Sequence, residues 1–183
     1  MRKRMKQLSC ILLAMMLCIS MSVPTLAASA KYNRAVASYR QLINQSGGEY
    51  KVIDLDGNGI PELVVYNKSK WANEVYTYNA STGKKKCLKS IAVGKSYSAR
   101  AQYSKRKHQV AFFTANTGGS TEYVYTIKGQ KVTKSLEAEY LNGRFGRFDP
   151  AYRAGYKING TRVSYATYQK KLSSALKGFA SIG

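Results

Sequence analysis

Asp54-Leu55-Asp56-Gly57-Asn58-Gly59-Ile60-Pro61-Glu62 is the one place where acidic side chains crowd together in a strongly basic chain. It reads D-x-D-x-N-G-x-x-E between two short apolar runs, Tyr50 to Ile53 and Leu63 to Tyr66. Short apolar runs joined by Asp, Gly and Asn predict two β-strands and a tight loop. In a loop that coils on itself every second residue points inward. Asp54, Asp56 and Asn58 then stand at positions one, three and five, with the carbonyl of Ile60 at seven and Glu62 at nine. That is a set of hard oxygen donors of the kind calcium takes. Gly57 and Gly59 supply the positive φ that so tight a loop needs.

The helix-opening EF-hand is excluded. Its twelfth position requires a bidentate glutamate, and here that position is Val65. The flanks are strand-like, and Pro61 has no N–H to give. A metal-free hairpin loop built of ordinary turn residues is the alternative. Against it, four of the nine acidic residues (Glu49, Asp54, Asp56 and Glu62) fall in one short window, and crowded carboxylates repel unless a cation neutralises them. Three carboxylates in a positive field imply weak binding, ~10⁻⁴–10⁻³ M as in extracellular modules, and a fold-stabilising ion in preference to a catalytic one.

Outward from the loop, periodicity defines the rest of the domain. Before it, Tyr32, Ala35, Val36, Tyr39 and Ile43 recur at helical spacing and predict a helix over 31–45, ended by Ser46-Gly47-Gly48. After it come short strands separated by turn residues: Glu74 to Asn79, Lys86 to Val93, Tyr97 to Tyr103, Gln109 to Thr114, Thr121 to Ile127 and Lys131 to Leu136. Gly143 to Ala154 has no period and reads as a loop. Asn159-Gly160 is a two-residue hairpin signal between Tyr156 to Ile158 and Thr161 to Val163. Ser164 is an N-cap for a final helix carrying Tyr165, Tyr168, Leu172, Leu176 and Phe179 on one face. The expected fold class is α+β, an antiparallel β-meander flanked by an N-terminal and a C-terminal helix.

The first thirty residues read as a cleaved secretory signal peptide. Arg2, Lys3, Arg4 and Lys6 precede the apolar Leu8 to Val23, and small residues follow at Ala27, Ala28 and Ala30. Residues 31–183 are then a single domain, secreted or extracellular, either released or held at the cell wall by non-covalent contacts alone. No later segment is long and apolar enough to anchor it in a bilayer. Cys10 and Cys18 leave with the leader, so Cys87 has no partner for an internal disulfide and is expected to be a buried structural thiol.

Charge is the second strong signal. The chain has 30 basic and 9 acidic residues, and only four of the basic ones lie in the leader, so the mature part carries a net +17. Such a field attracts polyanions and says nothing about fold. Outside a cell the candidates are wall teichoic acids, acidic polysaccharides, lipid headgroups and DNA. Lys84 to Lys86, Lys105 to Lys107 and Arg144, Arg147 and Arg153, with Tyr97, Tyr103, Phe145, Phe148 and Tyr152 among them, are the clusters that such a partner would meet. Catalytic constellations are lacking. His108 is the single histidine and reads as a solvated turn residue, and nothing pairs it with Cys87. Glu137 and Glu139 are explained by a solvated strand. The functional expectation is therefore a basic binding protein of the cell envelope or extracellular space. A secreted hydrolase of unknown substrate, or a cationic DNA- or membrane-binding protein, is the alternative.

Two segments carry a resemblance. Asp54 to Glu62 resembles the D-x-D-x-D-G-x-x-D loops on β-hairpins of the FG-GAP, integrin-type propeller family. With Asn159 to Tyr168, read as N-G-x-x-V-S-x-x-x-Y, the chain is similar to uncharacterised secreted proteins of Gram-positive bacteria that carry one D-x-D-G-D-G-x-x-E-L loop between strands. The resemblance implies calcium-loop geometry and no particular activity. Asn58 departs from it, replacing the third aspartate.

Overall fold

The structure is a computed structural model, and it describes residues 30–93, 99–143 and 154–183. The expected leader, all but its last residue, lies outside these. So do Tyr97, most of the Gly143 to Ala154 loop, and the cluster of Arg144, Arg147 and Arg153 with its aromatics.

A helix over 30–46 (α1) opens the described chain, and Gly47 ends it at a φ of +61°. Gly48 then passes so close to β2 that a Cβ on it would stand 1.9 Å from the Tyr66 carbonyl oxygen. Four strands follow: β1 (Tyr50–Ile53), β2 (Glu62–Asn67), β3 (Ala72–Asn79) and β4 (Lys84–Ala92). They pair in chain order as one antiparallel sheet. The second sheet takes β5 (Ala99–Ser104), β6 (Gln109–Asn116), β7 (Gly119–Lys128), β8 (Lys131–Leu141), β9 (Gly155–Ile158) and β10 (Thr161–Val163). A single 3₁₀ turn, Lys105–Lys107, joins β5 to β6. Helix α2 (Tyr165–Leu176) comes next, capped by the Ser164 hydroxyl accepting from Thr167 N–H. A two-residue strand, β11 (Ala180–Ser181), pairs with β5 and closes the sheet edge opposite β10.

The described residues are thus mostly antiparallel β with two helices, as an α+β reading expects. It differs from that reading in two respects. The meander is divided into two sheets, and α2 is followed by a strand. The division follows from burial on both faces. In β2, Val64 faces β5 to β8 while Leu63 and Val65 face α1, and a strand covered on both sides needs a layer against each. Leu55, Val64, Val75, Ala101, Val110, Phe112, Tyr125, Ile127 and Ile182 fill the space between the sheets. Ala35 and Tyr39 pack α1 on the outer face of the first sheet, and Tyr168 packs α2 on the outer face of the second. The layers run helix, sheet, sheet, helix. Among the described residues no helix is long and apolar enough to cross a membrane.

Cys87 is corrected by the structure. It lies on β4, the outermost strand of its sheet, and is exposed. Desolvation of the sulfur and the nearby Glu74 carboxylate both push its pKa up, so the thiolate is disfavoured and the residue is a poor nucleophile.

Candidate metal centre

The acidic loop connects β1 to β2, and its backbone folds around its own carboxylates. Asp54 Oδ1 accepts from the N–H of Gly57 at 2.9 Å and of Asn58 at 3.1 Å, and its Oδ2 accepts from Gly59 N–H at 3.1 Å. Gly57 and Gly59 take φ of +76° and +80°, which turns these amides inward. Asp54, Asp56 and Glu62 each place a carboxylate oxygen within 4.8 Å of the others, close enough for one cation to meet all three. Every donor in this set is an oxygen, which suits a hard divalent cation.

The other two expected ligands, Asn58 and the Ile60 carbonyl, lie on the same loop. The Asn58 side-chain oxygen accepts the Ile60 N–H at 2.7 Å, bracing the loop. The structure therefore brings together Asp54, Asp56 and Glu62.

Glu62 is the informative member. It is fully buried, yet its oxygens meet only neutral donors, the Leu55 N–H at 3.0 Å and the Thr77 hydroxyl at 3.1 Å. Burial, reinforced by Asp56 and Asp54, pushes its pKa up to about 7. Glu74, buried almost as deeply in the same sheet, behaves in the opposite way. Burial acts to raise it, but Asn67 Nδ2, the Tyr76 hydroxyl and the Lys70 ammonium at 3.2 Å outweigh that and hold its pKa below the usual range. Two things separate them: Glu74 has more donors, Asn67 and Tyr76 foremost, and it has a lysine, whereas Glu62 has no cationic side chain on it.

The loop is also tied to every layer around it. Leu55 turns inward and is fully buried in the core between the sheets. From the second sheet, His108 Nδ1 bonds the Leu55 carbonyl at 2.7 Å and Gly129 N–H donates to Asp56. From α1, the buried Tyr39 hydroxyl donates to the Pro61 carbonyl at 2.9 Å, and burial beside Glu62 keeps that hydroxyl protonated. His108 was expected to be a solvated turn residue. It is exposed, but its left-handed backbone (φ +55°) aims the ring at the loop. Leu55, an apolar residue between two aspartates, was the only local hint of this docking. Tyr39, Thr77, His108 and Gly129 are distant in sequence and carry none.

These ties place the basic clusters. Lys86 Nζ reaches the Gln130 carbonyl at 3.5 Å, across to the β7–β8 turn that also holds Asp56. Lys107 Nζ reaches the last carbonyls of α2, Ser174 at 3.2 Å and Ala175 at 2.7 Å. The turns bearing Lys84 to Lys86, Lys105 to Lys107, Lys128 and Lys131 thus converge on the end of the molecule that carries the acidic loop. Comparison with models of known protein families, with curated proteins and with solved structures yields no match to this chain.

Proposed function

We propose that this protein is a secreted, cationic binding protein of the cell envelope or extracellular space. Its acidic loop holds a calcium ion in a structural role, through Asp54, Asp56 and Glu62 with Asn58 and the Ile60 carbonyl completing the set. The observation that carries the metal reading is Glu62, a fully buried carboxylate beside two aspartates with no cationic side chain on it. Calcium fits because the donors are all hard oxygens, and the ion would supply the counter-charge that Lys70 supplies to Glu74.

The binding reading rests on where the carboxylates are. Glu62, Glu74 and Glu122 are buried, Asp54 and Asp56 bond loop amides, and Glu137 pairs with Lys134. Among the described residues that leaves Glu49 and Glu139 to offset the exposed lysines. A surface so depleted of negative charge attracts polyanions, with a steep dependence on salt. The proposed partners are anionic polymers such as teichoic acid, polysaccharide or DNA. The test is retention of the mature protein on anionic wall material, eluted with salt or with a chelator. Elution by moderate salt supports the polyanion role. Retention unchanged in high salt refutes it. Calorimetry with calcium reads the loop separately, and absence of both heat and a thermal shift at millimolar calcium ends that part.

A further inference from the structure

A groove of about 650 Å³ runs along the C-terminal half of α2, between that helix and the outer face of the second sheet. The volume falls within the ~300–1,000 Å³ of small-molecule sites. Lys107 and Lys171 stand over it, and Gln109, Ser135, Asn159 and Ser174 supply amides and hydroxyls along its wall. Val124, Leu136, Ile158 and Ala175 add an apolar part to the lining, and behind it Thr126 shares a hydroxyl contact of 2.6 Å with Ser135 and accepts from Gln109 Nε2 at 3.1 Å. No carboxylate and no aromatic ring lines it.

These properties select a ligand. Two ammonium groups without a carboxylate select an anion. Lys107 spends two of its three N–H groups on the last carbonyls of α2, so it offsets the partial negative charge at that helix end. Lys171 is exposed and has no acidic partner among the described residues, so it contributes a full charge. The Phe179 ring beside Lys107 already carries that ammonium over its face at 5.4 Å, and no ring lines the groove itself for a nucleobase to stack on, which argues against single-stranded nucleic acid. The hydroxyl and amide wall suits a ligand with many hydroxyls of its own. The open groove leads to the end of the molecule where the turn lysines converge, which suits a chain with repeated charges over a single small anion.

We propose that this groove binds a segment of a polyol-phosphate polymer, with Lys171 and Lys107 on phosphate and Ser135, Ser174, Gln109 and Asn159 on the polyol hydroxyls. The assignment rests on the polyanion-binding role proposed above and locates its specific part. Lysines on the turns beyond the groove add non-specific attraction.

The experiment measures the affinity of the mature protein for a defined glycerol-phosphate oligomer at low, fixed ionic strength, with polygalacturonate and duplex DNA as comparison ligands. The variants are Lys171→Glu, Lys171→Ala and, as a charge-matched control on β4 away from the groove, Lys85→Glu. Lys171 and Lys85 are both exposed, so melting curves should match the parent. The expected result is that Lys171→Glu weakens oligomer binding roughly five- to tenfold, Lys171→Ala about half as much on a logarithmic scale, and Lys85→Glu less than about twofold. Equal losses from Lys171→Glu and Lys85→Glu would mean diffuse attraction and overturn the groove while leaving the cationic binding role intact. Tighter binding of polygalacturonate or DNA would overturn the assigned ligand class. Binding of none of the three would remove the binding role itself, and the groove with it.

Discussion

Replacing Glu62 with glutamine separates the metal reading from ordinary loop packing. Glutamine is isosteric and keeps an acceptor for the Leu55 N–H, while its amide can donate to the Thr77 hydroxyl. The pKa of Glu62 in the fold is about 7 against an ordinary 4.5. A group raised on folding contributes its full stability below the unfolded value and loses it as pH rises through the folded value. Without metal, ionising Glu62 between pH 4.5 and 8 therefore costs about 3 kcal/mol, from roughly 2.5 units at 1.36 kcal/mol each. Glu62→Gln escapes that cost. It should match the parent near pH 4.5 and exceed it at pH 8 in metal-free buffer, by roughly 6–12 °C in Tm for a domain of this size. Calcium acts chiefly on the parent. At ~10 mM it should stabilise the parent at pH 8 by about 1.4–2.7 kcal/mol, if affinity is that of extracellular modules, and the variant by much less. Differential scanning fluorimetry over pH, with chelator and with calcium, reads all four conditions. Because Glu122 is also pushed up to about 7 by burial, the comparison is between variant and parent at each pH and not along one curve. A variant less stable than the parent at pH 8 without calcium, or an equal calcium response in both, would refute the reasoning.

Three further outcomes follow from the loop's ties. Leu55→Ala, which empties a fully buried core position, should cost about 2–5 kcal/mol in urea unfolding. An effect below about 1 kcal/mol would place Leu55 outside the cooperative core. Tyr39→Phe leaves the buried Pro61 carbonyl without its donor and should cost about 1–3 kcal/mol, with fluorescence-monitored denaturation as the measurement. Gly48→Ala forces a Cβ onto the Tyr66 carbonyl oxygen, so the α1-to-β1 connection must shift. Its melting point should fall by more than that of Gly57→Ala, where no atom lies within 4 Å and only the positive φ opposes the change.

Local pattern made the elements legible, and long-range placement was not. The helix over 31–45, the strands around the acidic loop and the Asn159-Gly160 turn all declare themselves by spacing and turn chemistry, and Asn159 and Gly160 take the positive φ that a two-residue hairpin needs. The break into two sheets was hidden because β2, β6 and β7 are apolar enough on both faces to be covered twice, and spacing cannot tell which partner covers which face. The exposure of Cys87 is hidden in the sequence for a related reason. A small apolar residue reads as core until its strand is known to be the edge. At the candidate site the carboxylates were visible as Asp54, Asp56 and Glu62. The contrast with Glu74 was not, since the ammonium that neutralises Glu74 comes from Lys70 by geometry and Glu62 receives no such group.

The loop's attachment to His108 and Gly129 bears on the order in which the chain folds. These partners lie 53 and 73 residues downstream, so the loop cannot reach its final geometry when the β1–β2 hairpin forms. It is completed only when the second sheet docks, and contacts of such separation form late and slowly. An ion bound to the finished loop would then stabilise an arrangement absent from the early nucleus. Its kinetic mark would be slower unfolding, with the refolding rate almost unchanged. The same loop that a short peptide could reproduce in sequence would in isolation lack the inter-sheet contacts that hold it in the whole domain.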